Sequence, residues 1–267
     1  MRIICAVLLL VGMAGARAAE TSQQRGKRAI DQAVAALGGD RFLHMRDRVE
    51  EGRAYSFYNE KISGLAVARI STQYLKRPDP IPPDFLGERE REAFGKKYDD
   101  VILFANGTGY ELTFRGARPL SDIRIAQFKD SVRRNIFYIL RERLGEPGLI
   151  FESRGSDFLD NRPVEIVDIT DAQDKTVTVY FDRLTKLPVR QKFFRRDPID
   201  KSRLEEVTVF AKYRDVGGGV MWPWSIWRER NGEKIFELFS ESVEIDKDLQ
   251  DDLFTLPADM KILKKQE

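Results

Sequence analysis

From residue 164 onward the chain repeats one pattern: a short segment that alternates apolar and polar residues, then a turn signal, then another such segment. The segments Val164 to Thr170, Thr176 to Phe181, Leu187 to Arg196, Leu204 to Tyr213, Val220 to Arg230 and Lys234 to Ile245 all read this way. Between them lie Asp171-Ala172-Gln173-Asp174, Asp182 to Lys186, Gly217-Gly218-Gly219 and Asn231-Gly232, residues that suit tight turns. Short connections join antiparallel neighbours, whereas parallel strands need a crossover of a dozen residues or more. The sequence therefore predicts an antiparallel meander, and this limits the fold to a mainly β class.

The first part of the chain extends the same sheet. Val49 to Tyr58 and Leu65 to Leu75 carry residues that favour a pleated surface. Val101 to Ala105 and Thr108 to Phe114 flank Asn106-Gly107, a pair that readily takes the positive φ angles of a type I′ turn. The whole pattern gives roughly nine or ten strands. Two helices interrupt it. One runs from Thr21 to Leu37, with Ile30, Val34 and Leu37 on one face and Gly38-Gly39 as its stop, and a short turn from Asp40 to Met45 follows. The other is expected as one long helix from Ser121, its N-cap, to Arg143, with Ile125, Phe128, Val132, Ile136 and Leu140 as an apolar stripe. Between residues 76 and 100, Pro78, Pro80, Pro82 and Pro83 precede the run Glu88-Arg89-Glu90-Arg91-Glu92. Consecutive prolines cannot join a ladder, so this stretch reads as a long charged loop with room for one helical turn, either a functional loop or a solvated insertion.

The N-terminus carries a different kind of information. Arg2, the apolar run Ile3 to Val11 and the Ala16-Arg17-Ala18 pattern form a cleavable secretory signal over residues 1–18. That run is shorter than the roughly 20 apolar residues of a membrane span. Cys5, the single cysteine, lies inside it, so a mature chain of residues 19–267, read as one domain, carries no thiol chemistry. The full chain has 45 basic and 43 acidic residues. Two of the basic ones, Arg2 and Arg17, leave with the signal, and the remaining balance is formally neutral, which argues against a nucleic-acid partner.

The residues of catalysis are sparse. His44 is the only histidine, it sits in a polar stretch, and nothing near it in sequence completes a triad or a zinc site, so it reads as a surface residue. Aspartates cluster at turns (Asp168, Asp171, Asp174; Asp246, Asp248, Asp251, Asp252) without calcium-loop spacing. No phosphate-binding glycine loop and no G-x-S-x-G motif occurs. A carboxylate-based hydrolase would require two acids facing one pocket, one with a raised pKa. No catalytic residue, metal site or cofactor is assigned. What the strands offer is apolar surface: Val177, Val179 and Phe181 share one face, as do Trp222 and Trp224, with Pro223 between them marking an edge or a bulge. These faces are either ordinary core or the wall of a cavity.

Three stretches carry a family resemblance. Thr176-Val177-Thr178-Val179-Tyr180-Phe181-Asp182-Arg183-Leu184-Thr185-Lys186-Leu187-Pro188 resembles the strand, aspartate turn and L-P strand start of the LolA/LolB-like outer-membrane lipoprotein-sorting proteins. The corner Tyr213 to Pro223, with its three glycines, and the ending Phe254-Thr255-Leu256-Pro257 are similar to that superfamily too. The resemblance implies an unclosed antiparallel β half-barrel whose concave face is covered by helices. It further implies a monomeric periplasmic carrier, not an enzyme, for lipid or lipoprotein acyl chains, with a membrane-bound loading or receiving protein as a further partner. On that reading Ile125, Phe128, Val132, Ile136, Val177, Val179, Phe181, Trp222 and Trp224 line the cavity. Envelope sensors that bind a protein partner resemble the same carriers, and this is the alternative function.

Overall fold

A computed structural model describes residues 19–82 and 85–265. The expected signal, residues 1–18 with Ala16 and Ala18 at its cleavage site, lies outside the described residues. The chain begins with α1 (Ser22–Ala36), whose N-cap Thr21 exchanges a reciprocal pair of hydrogen bonds with Gln24, and α2 (Asp40–His44) follows a glycine turn.

Among the described residues, thirteen strands then form one antiparallel sheet. They are β1 (Asp47–Tyr58), β2 (Lys61–Tyr74), β3 (Glu88–Phe94), β4 (Asp100–Ala105), β5 (Thr108–Thr113) and β6 (Gly116–Pro119), then β7 (Ile150–Leu159), β8 (Arg162–Thr170) and β9 (Thr176–Asp182), and finally β10 (Pro188–Arg196), β11 (Arg203–Asp215), β12 (Met221–Arg230) and β13 (Glu233–Ile245). The spatial order is β6-β5-β4-β3-β2-β1-β13-β12-β11-β10-β9-β8-β7. The two halves of the meander join where β1 pairs with β13, and β6 and β7 are left as edges, so the sheet does not close. Asn106 and Gly107 both take positive φ, 51° and 75°, as the hairpin reading required.

The chain leaves one edge at β6 and re-enters at the other edge as β7. The connection must therefore cross the open side of the sheet, and the second helix lies there. It is not one helix. α3 (Asp122–Arg133), capped by Ser121, stops at Arg134; Asn135 caps a new turn, α4 (Ile136–Tyr138), which widens into a π-helical turn at Ile139–Arg143. Side chains make the break. Arg134 reaches down to the Phe194 carbonyl on β10 (2.6 Å) and to Asp130 (2.9 Å), while the Ile136 N–H donates to Gln191 on β10 (2.8 Å). A straight helix would keep that N–H in its own ladder.

The count of nine or ten strands omitted three. β6 is four residues long and β7 carries exposed polar positions, so neither alternates clearly. β3 is the larger correction, because Glu88–Phe94 lies within the stretch expected to be a loop. The proline rule holds only for the prolines. After Gly87 the charges themselves alternate, with glutamates toward the concave side and Ala93 buried on the other. Pro223 resolves simply: β12 pairs with β11 there, but its pairing with β13 starts only at Ser225, so no ladder donor is missed.

The two largest apolar cores flank the sheet. The main one gathers Ile30, Ala33 and Leu37 of α1, Phe42 of α2 and Ile136, Phe137 and Leu140 of the crossing segment against β7 to β12. On the opposite side of β3 to β6, Ala93, Val101, Leu103 and Leu112 pack on Phe254 of the C-terminal 3-10 turn (Asp251–Phe254). The Phe254-Thr255-Leu256-Pro257 ending is thus a plug for that face. The tail then hydrogen-bonds along β6, where Ala117 N–H donates to Lys261 (2.9 Å) and Leu263 N–H donates to Ala117 (2.8 Å), covering an otherwise open edge.

Gly26 lets α1 lie directly on β7. A Cβ there would sit 2.5 Å from the Phe151 carbonyl oxygen, a backbone atom that cannot swing aside. Gly26→Ala should lower stability by about 1–3 kcal/mol, measurable by chemical denaturation, even though alanine is the better helix former.

Candidate functional site

The concave side of the sheet encloses a cavity of about 460 Å3 beneath the crossing segment. This falls within the roughly 300–1,000 Å3 typical of small-molecule pockets. Part of its lining is aromatic and aliphatic: Ile70, Phe94, Ile102, Phe104, Phe128, Phe193, Phe210, Ile226 and Leu238. The rest is ionic.

Strand register explains how the charges meet. Across β4, β3, β2 and β1 one row reads Phe104, Glu90, Thr72, Arg48, and the next reads Ile102, Glu92, Ile70, Glu50. Arg48 donates to the Thr72 hydroxyl at 3.0 Å, and that hydroxyl reaches Glu90 at 3.5 Å. The Arg48 guanidinium also lies 4.0 Å above the Trp222 ring and 3.8 Å from Glu50. Glu50, 2 % exposed, accepts from Ser240 as well. Burial raises its pKa, and the Arg48 charge and the side chains of Ser240 and Trp222 oppose that rise.

A second group sits across the cavity, where Glu206 on β11 binds both Arg195 (2.7 Å) and Arg230 (2.9 Å). From the crossing segment, Arg141 stacks 3.8 Å over Tyr74 and donates to the main-chain carbonyls of Phe42 and Met45. Two glutamates of β3 are perturbed. Glu88 is pushed up to about 8, first by burial and then by the neighbouring Glu90. Burial and the Glu90 carboxylate raise Glu92 as well, against the pull of Arg228 and Arg124.

A smaller apolar pocket of about 240 Å3 adjoins this cavity. Leu75, Phe85, Leu86 and Ile125 line it, and it shares Glu88, Phe104 and Phe128 with the main cavity. Phe104 and Phe128 are stacked, 3.6 Å between centroids and 2° apart in plane.

The nine residues expected to line a cavity separate into three groups. Phe128, Val132 and Trp222 face the main cavity, and Ile125 joins Phe128 in the side pocket. Ile136, Val177, Val179 and Phe181 are packed into the core beneath α1 and α4, none more than 2 % exposed. Trp224 is half-buried against that core under Arg214, 4.1 Å from its ring. The glutamates and arginines of the cavity were missed. Their signal was present in Glu88-Arg89-Glu90-Arg91-Glu92, where period-two spacing applies to sign of charge instead of hydropathy. Elsewhere the sequence reading and structure agree: His44 is exposed and contacts the Asp40 carbonyl, and Asp171 accepts turn N–H groups from Gln173 and Lys175.

An open antiparallel sheet, a helical segment crossing its mouth and a cavity between them define the architecture. The fold is that of the LolA superfamily. A LolA superfamily protein from Nitrosomonas europaea superimposes with a TM-score of 0.51 at 10% identity, over 86% of this chain and 97% of that one. A domain named for outer-membrane lipoprotein sorting from Vibrio parahaemolyticus gives 0.57 at 10% identity, covering 87% of this chain and 97% of its own. A DUF1329 family protein from Desulfovibrio piger gives 0.58 at 14% identity, covering 86% and 97%. No family profile and no curated protein matches the sequence. At these identities the shared property is the LolA-like fold.

Proposed function

We propose that this protein is a periplasmic, non-enzymatic carrier that shelters a lipid, or the acyl chain of a lipoprotein, on the concave face of its sheet. The carrying observation is the cavity of about 460 Å3 left between an unclosed sheet and its helical cover, with an apolar side pocket beside it. Hydrocarbon placed there gains roughly 0.8 kcal/mol per buried methylene. The reading needs no bond-making step and assigns no catalytic residue or cofactor. The secretory pattern of residues 1–18 supports delivery to the periplasm, where such a carrier exchanges cargo with a membrane-bound loading or receiving protein.

The test is lipid extraction and mass spectrometry of protein purified from the periplasm. Lipid should accompany the native protein and be largely absent from Thr208→Trp, which fills the cavity from β11. Lipid retained at the same level in that variant, or no lipid in either, sinks the proposal.

One observation favours a second reading, an envelope sensor or interaction module that engages a protein. Ile62 and Leu65, each 62% exposed, stand opposite Phe57 and Tyr55 on one face of the β1–β2 hairpin. Neighbouring exposed apolar side chains commonly mark a contact surface. On this reading a protein co-purifies, and Ile62→Asp abolishes the association without removing lipid.

A further inference from the structure

Two neighbouring cross-strand rows of the main cavity differ sharply in chemistry. Strand register places Gln191 of β10, Thr208 of β11, Arg228 of β12 and Phe236 of β13 side by side on the concave face. Two residues further along their strands, and so on the same face, Phe210, Ile226 and Leu238 form the next row. The first row carries three hydrogen-bond donors, and the second is wholly apolar.

Those donors are unused within the protein. Gln191 is 3 % exposed, and its Oε1 accepts from the Ile136 N–H, which fixes the amide and leaves Nε2 as its remaining polar end. Among the described residues no acceptor meets that Nε2, the Thr208 hydroxyl or the Arg228 guanidinium, which rests only on the Phe236 ring at 5.3 Å. The Gln191 Nε2 stays open to the cavity, whereas Nε of Arg48 and Nε1 of Trp222 are sealed beside Glu50. A buried amide takes its acceptor from water or from a ligand, and a ligand oxygen that displaces water here meets three donors at once.

Charge selects the kind of acceptor. Two residues along β11 from Thr208, Glu206 is shared by Arg195 and Arg230, so two cations meet one carboxylate. Glu92 is the acid whose field reaches Arg228. Burial first, and then Glu90, raise it to about 8, so it holds a proton at neutral pH and leaves the Arg228 charge uncompensated. The cavity is therefore electropositive beneath β10 to β12.

Resting on the carrier reading above, we infer that Gln191, Thr208 and Arg228 form a seat for an oxyanion on the cargo's head, a carboxylate or a phosphate monoester, with the hydrocarbon laid along Phe210, Ile226 and Leu238. Arg228 is the exposed end of the seat and Gln191 the buried one. An incoming anion thus meets the charge first and the directional amide last.

The test uses three probes of equal chain length, dodecanoate, dodecyl phosphate and the uncharged monolaurin, titrated into the full-length mature protein. Both anions should bind roughly tenfold tighter than monolaurin, the equivalent of one pKa unit of differential interaction, and the tighter of the two identifies the head. Gln191→Glu keeps the acceptor for Ile136 but puts a carboxylate in place of the amide donors, and Arg228→Gln removes the charge. Each should erase the preference and leave monolaurin affinity unchanged. Thr208→Val, the mildest change, should weaken both anions about threefold. Arg190→Gln, the same loss of charge on the opposite face of β10, should change nothing. If monolaurin binds as tightly as the anions, if the preference survives Gln191→Glu and Arg228→Gln, or if Arg190→Gln erases it equally, the seat is overturned while the carrier reading stands. If none of the three probes binds, the carrier reading falls and takes this inference with it.

Discussion

Replacing Phe137 with alanine should destabilise the protein by about 3–5 kcal/mol, the range for a large aromatic lost from a packed core. Phe137 is 5 % exposed and sits where the crossing segment meets the sheet. Its ring contacts three other aromatics: Trp222 at 4.6 Å, Phe210 at 5.0 Å and Phe42 at 6.5 Å between centroids. Those partners come from β12, β11 and α2, so one side chain ties three separate parts of the chain together. Because Phe137 also lines the cavity, the vacated volume is continuous with the ligand space. Denaturant titration of Phe137→Ala measures the loss, and adding a cavity-binding lipid should recover part of it by mass action. A change below about 1 kcal/mol would mean that the crossing segment is not anchored through this ring.

Stability should also fall as the solution becomes alkaline, and the concave carboxyls are the reason. In the unfolded chain Glu88 and Glu92 titrate near the ordinary 4.5; folded, burial and the adjacent Glu90 push Glu88 up to about 8 and raise Glu92. Between those values the folded state holds more protons than the unfolded one, so raising the pH favours unfolding. The contribution is complete below the unfolded value and is lost as pH rises through about 8. Glu146 and Asp171 act in the opposite sense: the Arg143 hydrogen bond lowers Glu146, the Lys175 and Gln173 backbone N–H groups and then Arg143 lower Asp171 against its burial, and their contribution is lost in acid. Melting temperature should therefore peak at mildly acidic pH and drop by at least about 5 °C on going to roughly pH 9. Glu92→Gln should flatten the alkaline limb. A melting temperature that rises steadily from neutral to alkaline pH would show that these carboxyls are ionised in the folded protein.

Much of the sheet was legible because local rules settle it. Asn106-Gly107 and Asn231-Gly232 specify tight turns through backbone conformation alone, and alternation in Thr176–Asp182 needs only one buried face. The crossing segment was legible only as apolar stripe. Ile125, Phe128, Val132 and Ile136 have helical spacing whether or not the helix breaks, and the break at Arg134 and Asn135 is made by Phe194 and Gln191, residues some sixty and fifty-five positions away. The cavity lining was the least legible part. Val177, Val179 and Phe181 look no different in sequence from a lipid-facing row, and they become core because α1, brought close by Gly26, lies near them.

The antiparallel meander, its turns and the two helical stretches follow from local residues alone, because each rests on the period and conformational preferences of chain neighbours. The unclosed half-barrel that the resemblance implied is present, with β6 and β7 as its edges, but that the charged run is a strand emerged only in three dimensions. The tertiary structure also decided that Glu88, Glu90 and Glu92 face Arg48 and Glu50 across a shared cavity. Those outcomes depend on strand register and on which face each strand turns inward, and both are fixed by partners distant in the chain.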